Sequence, residues 1–375
     1  MERTKRPLFH QDGDSRKGAR RTAGRFLAAV ILAGLTVGAC ALAHRFPQLF
    51  FPWFRRFSAR VMSTLSQLVS PLKIAVWDIL LLLLIVLFIG SIVRMIRKRK
   101  RFLRWLSSVL LIASILFAWF VGTWGLNYYA PPLAESIGLD VGLYTVDELE
   151  ATTKYWLGEA DRLSGEVPRN EDGTLKAQDF YELATVAGLA ADHLPDLGCT
   201  VASAPVKKLW LYGPVLVRTD AIGIFMAFTG ESNVAPQCAK EDMPFTMVHE
   251  IAHRSGIASE QEANFCAFVA CESLNDVRFR YSGAFSAFLY CYNALYKADP
   301  ERAKTLFPDG YAPLVRLDIR TKSAYYKQFE GKAEEIGNRI NDAYLKSFSQ
   351  TGVRSYGEVV DYLIAYYYAS ARSAD

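Results

Sequence analysis

Histidine is scarce in this chain, five in 375 residues, so any imidazole chemistry rests on very few positions. Cysteine offers little more. None of the six cysteines stands at CxxC spacing from another, which removes support for a thiolate zinc site. Cys40 falls inside an apolar run, and Cys266, Cys271 and Cys291 read as core residues on helices. Cys199 and Cys238 are positioned to pair if this part of the chain meets an oxidising compartment. Repeats and low-complexity tracts are missing altogether. Acidic residues are rare over residues 1–125, which carry 4 acidic and 20 basic side chains, whereas residues 126–375 carry 34 acidic and 23 basic. The net charge of +5 therefore averages +16 with −11. Nucleic acid is not expected as a partner, because the basic groups flank apolar runs, where anionic lipid headgroups occupy them.

Charge is also missing, or nearly so, from three stretches of 18 to 21 residues: 26–43, 74–93 and 106–126. Each is long enough to cross about 30 Å of hydrocarbon as a helix. Each is apolar all round and flanked by Arg or Lys, unlike a core helix of a soluble protein. The expected fold is therefore a membrane region of three transmembrane helices in a lipid bilayer, then a mostly helical α+β domain with a small sheet. Eight Lys or Arg precede Phe26, seven lie from Arg94 to Arg104, and five lie from His44 to Lys73. The positive-inside rule puts residues 1–25 and the Arg97–Arg101 run in the cytoplasm, so residues 127–375 are expected to be extracytoplasmic. The first run also has features of a signal peptide, whose removal leaves that placement unchanged.

Beyond the membrane region, Thr145 and Glu148 form a capping-box pattern that opens a helix to about Leu163, and a second helix is expected over 177–194. Strand-like pieces follow at 205–212 and 221–228, with a turn at 229–233. Further helices are expected over 281–298, 323–348 and 356–371.

Two of the five histidines sit in His249-Glu250-Ile251-Ala252-His253. Pro244 suits the first turn of a helix carrying these residues, and Gly256 suits its end. The spacing puts both imidazoles on one helical face with Glu250 one step round. Two neutral imidazoles can hold Zn2+, and Glu250 can take a proton from zinc-activated water. A catalytic zinc wants a third protein ligand. The next helix opens with Ser259, Glu260, Gln261 and Glu262. Glu262 has a role available as the acid of a Ser259 capping box. Glu260 has none, and Asn264 lies one turn on, so Glu260 is preferred as ligand with Glu262 the alternative. Tyr281 is a candidate donor to the oxyanion, the Gly223–Phe228 strand a candidate edge for an extended peptide, and Glu231 and Asn233 candidate substrate contacts. His193 reads as a surface residue.

The segments FTGESN, PF leading into HEIAHRSGIASEQEANF, RYSG, LNYYAPPLAE and TGVRSYGEVVDYL resemble the bacterial membrane proteins grouped as domain of unknown function 3810, over roughly residues 75–370. The HExxH helix followed by E-x-x-A-N is similar to the core of gluzincin-type zincin peptidases. That resemblance implies His249, His253 and Glu260 as ligands and Glu250 as general base. Six residues separate His253 from Glu260, a shorter link than gluzincins use, and the Gly256 turn resembles that of metzincins. The expected activity is a membrane-anchored zinc metallopeptidase acting on a peptide or protein substrate. The competing expectation is a non-catalytic membrane receptor or scaffold with a structural or vestigial zinc site.

Overall fold

The computed structural model describes residues 9–97, 102–219, 221–308, 310–347 and 355–374. Most of the Arg97–Arg101 run expected to set topology lies outside the described residues, as do residues 1–8 and 351–354. In chain order the first helices are α1 (Phe9–Arg45), α2 (Pro47–Val69), α3 (Val76–Arg97), α4 (Phe102–Thr123), α5 (Leu133–Ile137), α6 (Val146–Ser164) and α7 (Phe180–Gly188). Then come β1 (Lys207–Lys208), α8 (Gly213–Leu216), β2 (Gly223–Met226) and β3 (Glu231–Val234). The remainder is helical: α9 (Met243–Arg254), α10 (Glu260–Ser273), α11 (Val277–Ala298), α12 (Pro300–Thr305), α13 (Pro313–Lys327), α14 (Lys332–Ser347) and α15 (Ser355–Ala374).

Two compact units emerge. One comprises Met1–Pro47 and Leu80–Leu126, and the other Gln48–Ile79 and Asn127–Asp375. Among the described residues the first holds most of three helices long and apolar enough to cross a membrane: Arg16–Arg45 within α1, then α3, whose first turn belongs to the second unit, and α4. They carry the runs expected at 26–43, 74–93 and 106–126. The third ends at Thr123, because Gly125–Tyr129 forms a 3-10 turn. Hydroxyls within these helices bond to their own backbone. Thr36, Ser114 and Thr123 each donate to the carbonyl four residues earlier, which satisfies them without a partner outside the helix.

The second unit includes a segment, Gln48–Ile79, that hydropathy groups with the membrane region. Its helix α2 was not expected. Phe51, Phe54, Ala59 and Met62 are buried on one side of it. Its last carbonyls would be orphaned; the Lys207 ammonium donates to those of Val69 and Ser70 at 3.0 Å, and to Leu72 just beyond. Gly230, with φ +67°, fits because its Cα faces the α2 backbone, where a Cβ would stand 2.9 Å from the Met62 carbonyl oxygen.

In the sheet, β3 is the middle strand, parallel to β1 and antiparallel to β2. This corrects two expectations. The strand expected over 205–212 is only two residues long, because Asp78 accepts the N–H groups of Trp210 and Leu211 and draws them off the ladder. Residues 231–233, read from sequence as turn, are strand, with the turn confined to 227–230. Glu231 is buried and accepts the N–H groups of Val76 and Trp77 at 2.9 Å, closing the N-terminus of α3. Asn233, also buried, donates to the carbonyls of Ile224 and Glu231. Neither side chain is presented to a substrate.

The helical layer packs α6 against α11, with Trp156 edge-on to Phe268 of α10 at 4.6 Å. The Thr145–Glu148 capping box at α6 is formed in both directions. The helix expected over 323–348 is instead two, broken at residues 328–331. Tyr281 lies fully inside, and its hydroxyl donates to Asp318, which also takes a two-pronged contact from Arg169 at 2.8 and 2.9 Å. A carboxylate with no solvent exposure claims the nearest donors, so Tyr281 belongs to this ion pair and not to an oxyanion site. Arg169→Met should cost about 3–5 kcal/mol, because Asp318 is left charged and unpaired. Chemical denaturation of the full-length protein measures it, and a change under about 1 kcal/mol refutes the buried-pair account.

Candidate metal centre

Helix α9 begins at the position Pro244 favours, with the proline in its first turn. It ends in a turn at Gly256, whose φ of +90° suits glycine. A Cβ at that position would stand 3.3 Å from the Asn127 side chain, which itself donates to Ser58 of α2. The turn thus rests on residues from both chain segments of this unit. It redirects the chain so that α10 starts at Glu260 beside the imidazoles.

Among the described residues, His249, His253 and Glu260 bring three ligand atoms within 4.8 Å of one another. The two Nε2 atoms are 3.0 Å apart. Glu260 places one oxygen 3.3 Å from His249 Nε2 and the other 3.7 Å from His253 Nε2. Zinc bonded at about 2.0–2.1 Å in a tetrahedron requires donor separations of about 3.3–3.4 Å. The observed distances bracket that value, so the donor set fits zinc. His253 Nδ1 lies 2.7 Å from the Ile257 carbonyl, which fixes Nδ1 as the protonated nitrogen and leaves the Nε2 lone pair toward the cluster. Asn264 lies within hydrogen-bonding reach of His249. Neither Asn264 Nδ2 nor His249 Nδ1 makes a hydrogen bond, so Asn264 does not orient the Glu260 carboxylate as expected.

Glu262 goes elsewhere. It accepts the Leu133 N–H at 2.7 Å and the Tyr362 hydroxyl at 3.2 Å, and Ser259 makes no side-chain cap. The expected local capping box loses to these two distant donors. Glu260 is therefore the acid that the structure brings to the histidines.

Burial governs the electrostatics. It pushes His249 down, with help from the neighbouring His253, which favours the neutral imidazole that metal binding needs. Burial alone would lower His253 too, but the Glu260 carboxylate outweighs it and His253 is pushed up to about 9. Burial alone would raise Glu260, whereas the two imidazoles, His253 foremost, hold it well below the usual carboxylate range. Glu250, 4% exposed, is pushed up to about 8, chiefly by burial. A dication and a proton compete for His253 Nε2. Below pH 9, binding should release one proton and tighten about tenfold per pH unit. Zinc titration against a chelating dye at pH 6, 7 and 8 checks this, and a flat profile contradicts it.

Residues that sequence patterns did not single out complete the surroundings. Ser232 on β3 donates to the Glu250 carbonyl at 2.8 Å. Gly223, at the start of β2, lies against the Glu250 side chain, where a Cβ would stand 2.8 Å from Cγ and 2.9 Å from Cδ. Only glycine lets the edge strand run that close to the carboxylate. Arg254 donates to the Ala204 carbonyl at 3.1 Å and ties α9 to the chain entering β1. Cys199 and Cys238 are both thiols, not a disulfide, and His193 is exposed.

No curated protein and no solved structure matches the chain. The family model described as "Protein of unknown function (DUF3810)" spans α2 to α15 and so takes in both segments of the second unit. With residues 53–364 matched, the chain belongs to that family.

Proposed function

We propose that this protein is a membrane-anchored zinc metallopeptidase, multi-pass in the cell membrane, with its zincin-like domain extracytoplasmic. The observation that carries the reading is the convergence of His249, His253 and Glu260 at zinc-compatible distances, with Glu250 one residue along α9. When bound, zinc supplies Lewis acidity that polarises a peptide carbonyl and lowers the pKa of water. The chain's own groups do the rest. Glu250, buried beside Gly223 and next to His249 on α9, can as a carboxylate take a proton from water and return it to a leaving amine. His253, held through Nδ1 by Ile257, keeps its other nitrogen aimed at the cluster. Among the described residues strand β2 pairs only with β3, and its other edge can take an extended peptide or protein substrate by strand addition.

The membrane topology is supported by the way the chain segments associate. With three spans, residues 46–75 and those after 123 fall on one side of the bilayer. These same segments share one core. Lys and Arg are concentrated in the segments that fall on the other side, before Phe26 and between α3 and α4.

The test uses the purified full-length protein in detergent or vesicles. Metal content is measured, and hydrolysis of a peptide library is compared between wild type and Glu250→Gln. Bound zinc with Glu250-dependent hydrolysis supports the peptidase. Stoichiometric zinc with no difference between the two proteins favours the scaffold with a structural or vestigial site.

A further inference from the structure

Resting on the peptidase reading, we propose that the substrates are polypeptides held at the bilayer surface and cut close to where they leave it. The motivating geometry is the short, rigid path from Glu250 to the beginning of the apolar helix α3. Glu231 accepts the N–H groups of Val76 and Trp77, so β3 is fastened to the first turn of that helix. Its neighbour Ser232 is fastened to the Glu250 carbonyl. Adjacent residues are 3.8 Å apart at Cα, so these two bonds and their side chains span no more than roughly 17 Å.

A second path agrees. Strand β2 starts against Glu250 at Gly223, and Phe228, just past its end, stacks on Trp77 with ring centroids 6.0 Å apart and planes 12° from parallel. The six residues Gly223 to Phe228 cover at most about 17 Å at strand rise. Helix α3 carries no charge between Asp78 and Arg94, so hydrocarbon begins within its first turns.

The surface at the start of α3 and, separately, the exposed side of α2 suit the bilayer interface. Asp78, in that first turn, holds the N–H groups of Trp210 and Leu211, whose side chains are 58% and 48% exposed. Lys208 Nζ lies 4.4 Å from the Trp210 ring centroid. On α2, Leu49, Trp53 and Phe57 recur every fourth residue and are 72%, 54% and 43% exposed. Arg55, Arg56 and Arg60 lie on the same helix. Exposed tryptophans with neighbouring cations are what headgroup regions hold, and α2 follows directly on the apolar helix α1. A substrate chain rises about 3.3 Å per residue, so 17 Å corresponds to about five residues from the membrane.

The experiment uses full-length protein in mixed zwitterionic and anionic phospholipid vesicles. The substrate is a single apolar membrane anchor with a tail of about 40 residues repeating a sequence cut in the library assay; the same tail without anchor is the comparison. Cut positions are mapped by mass spectrometry. The anchored tail should be cut at least about tenfold faster, with cuts confined to roughly its first ten residues. Cuts spread evenly along the tail, or equal rates for both substrates, overturn the membrane-proximal assignment while Glu250 dependence keeps the peptidase reading. If wild type cuts neither substrate nor any library peptide, the peptidase reading falls and this assignment falls with it.

Discussion

Glu250→Gln should leave zinc bound and reduce kcat/KM by at least about 100-fold, toward 10⁴-fold, the range that a general base contributes. A 100-fold loss corresponds to about 2.7 kcal/mol of transition-state stabilisation. The amide has the shape of the carboxylate but cannot accept the proton. Folding should not suffer. Glu250 Oε2 makes no hydrogen bond, and burial already disfavours its charged form. The neutral amide should therefore match or raise Tm, the pattern of a residue retained for chemistry at a cost to stability. An unchanged kcat/KM with zinc bound would remove Glu250 from the mechanism. A large drop in Tm would show that it supports the fold instead.

The second large effect separates the two acids of α10. His249→Ala, His253→Ala and Glu260→Gln should each weaken zinc binding by more than about 100-fold, since loss of an outer-shell partner alone costs 10- to 100-fold. Glu262→Gln should leave zinc affinity within about threefold, because its carboxylate faces Leu133 and Tyr362. Titration of the four full-length variants at one pH reads this directly. If Glu262→Gln weakens binding as much as Glu260→Gln, the assignment of the third ligand is wrong.

What could be read from sequence was governed by how local the determining contacts are. Pro244, the HEIAH spacing and Gly256 act within a turn or two, and α9 and its ending follow from them. The capping box at α6 succeeded for the same reason. Its lookalike at Ser259 did not form, because Glu262 meets donors 129 and 100 residues away in sequence. Tyr281 went to Asp318 by the same competition, 37 residues distant. Strand β3 carries the polar stretch Glu231-Ser232-Asn233, which reads as turn, since its partners come from β1 and from the start of α3. Hydropathy missed α2 because one of its sides packs while the other carries exposed aromatics between arginines. The convergence of His249, His253 and Glu260 was legible in sequence, whereas Gly223, whose closeness to Glu250 depends on the strand crossing, was not.

The interleaved origin of the second unit bears on how the molecule is made. Phe51, Phe54 and Met62 are synthesised first, yet the residues that cover them follow two further hydrophobic segments. At 5–20 residues per second, roughly 15 to 60 s pass between the end of α2 and the end of α15. Throughout that interval the apolar side of α2 lacks the later residues of its own unit. A fragment cut at residue 127, the obvious choice for expression, would be born without one wall of its own house.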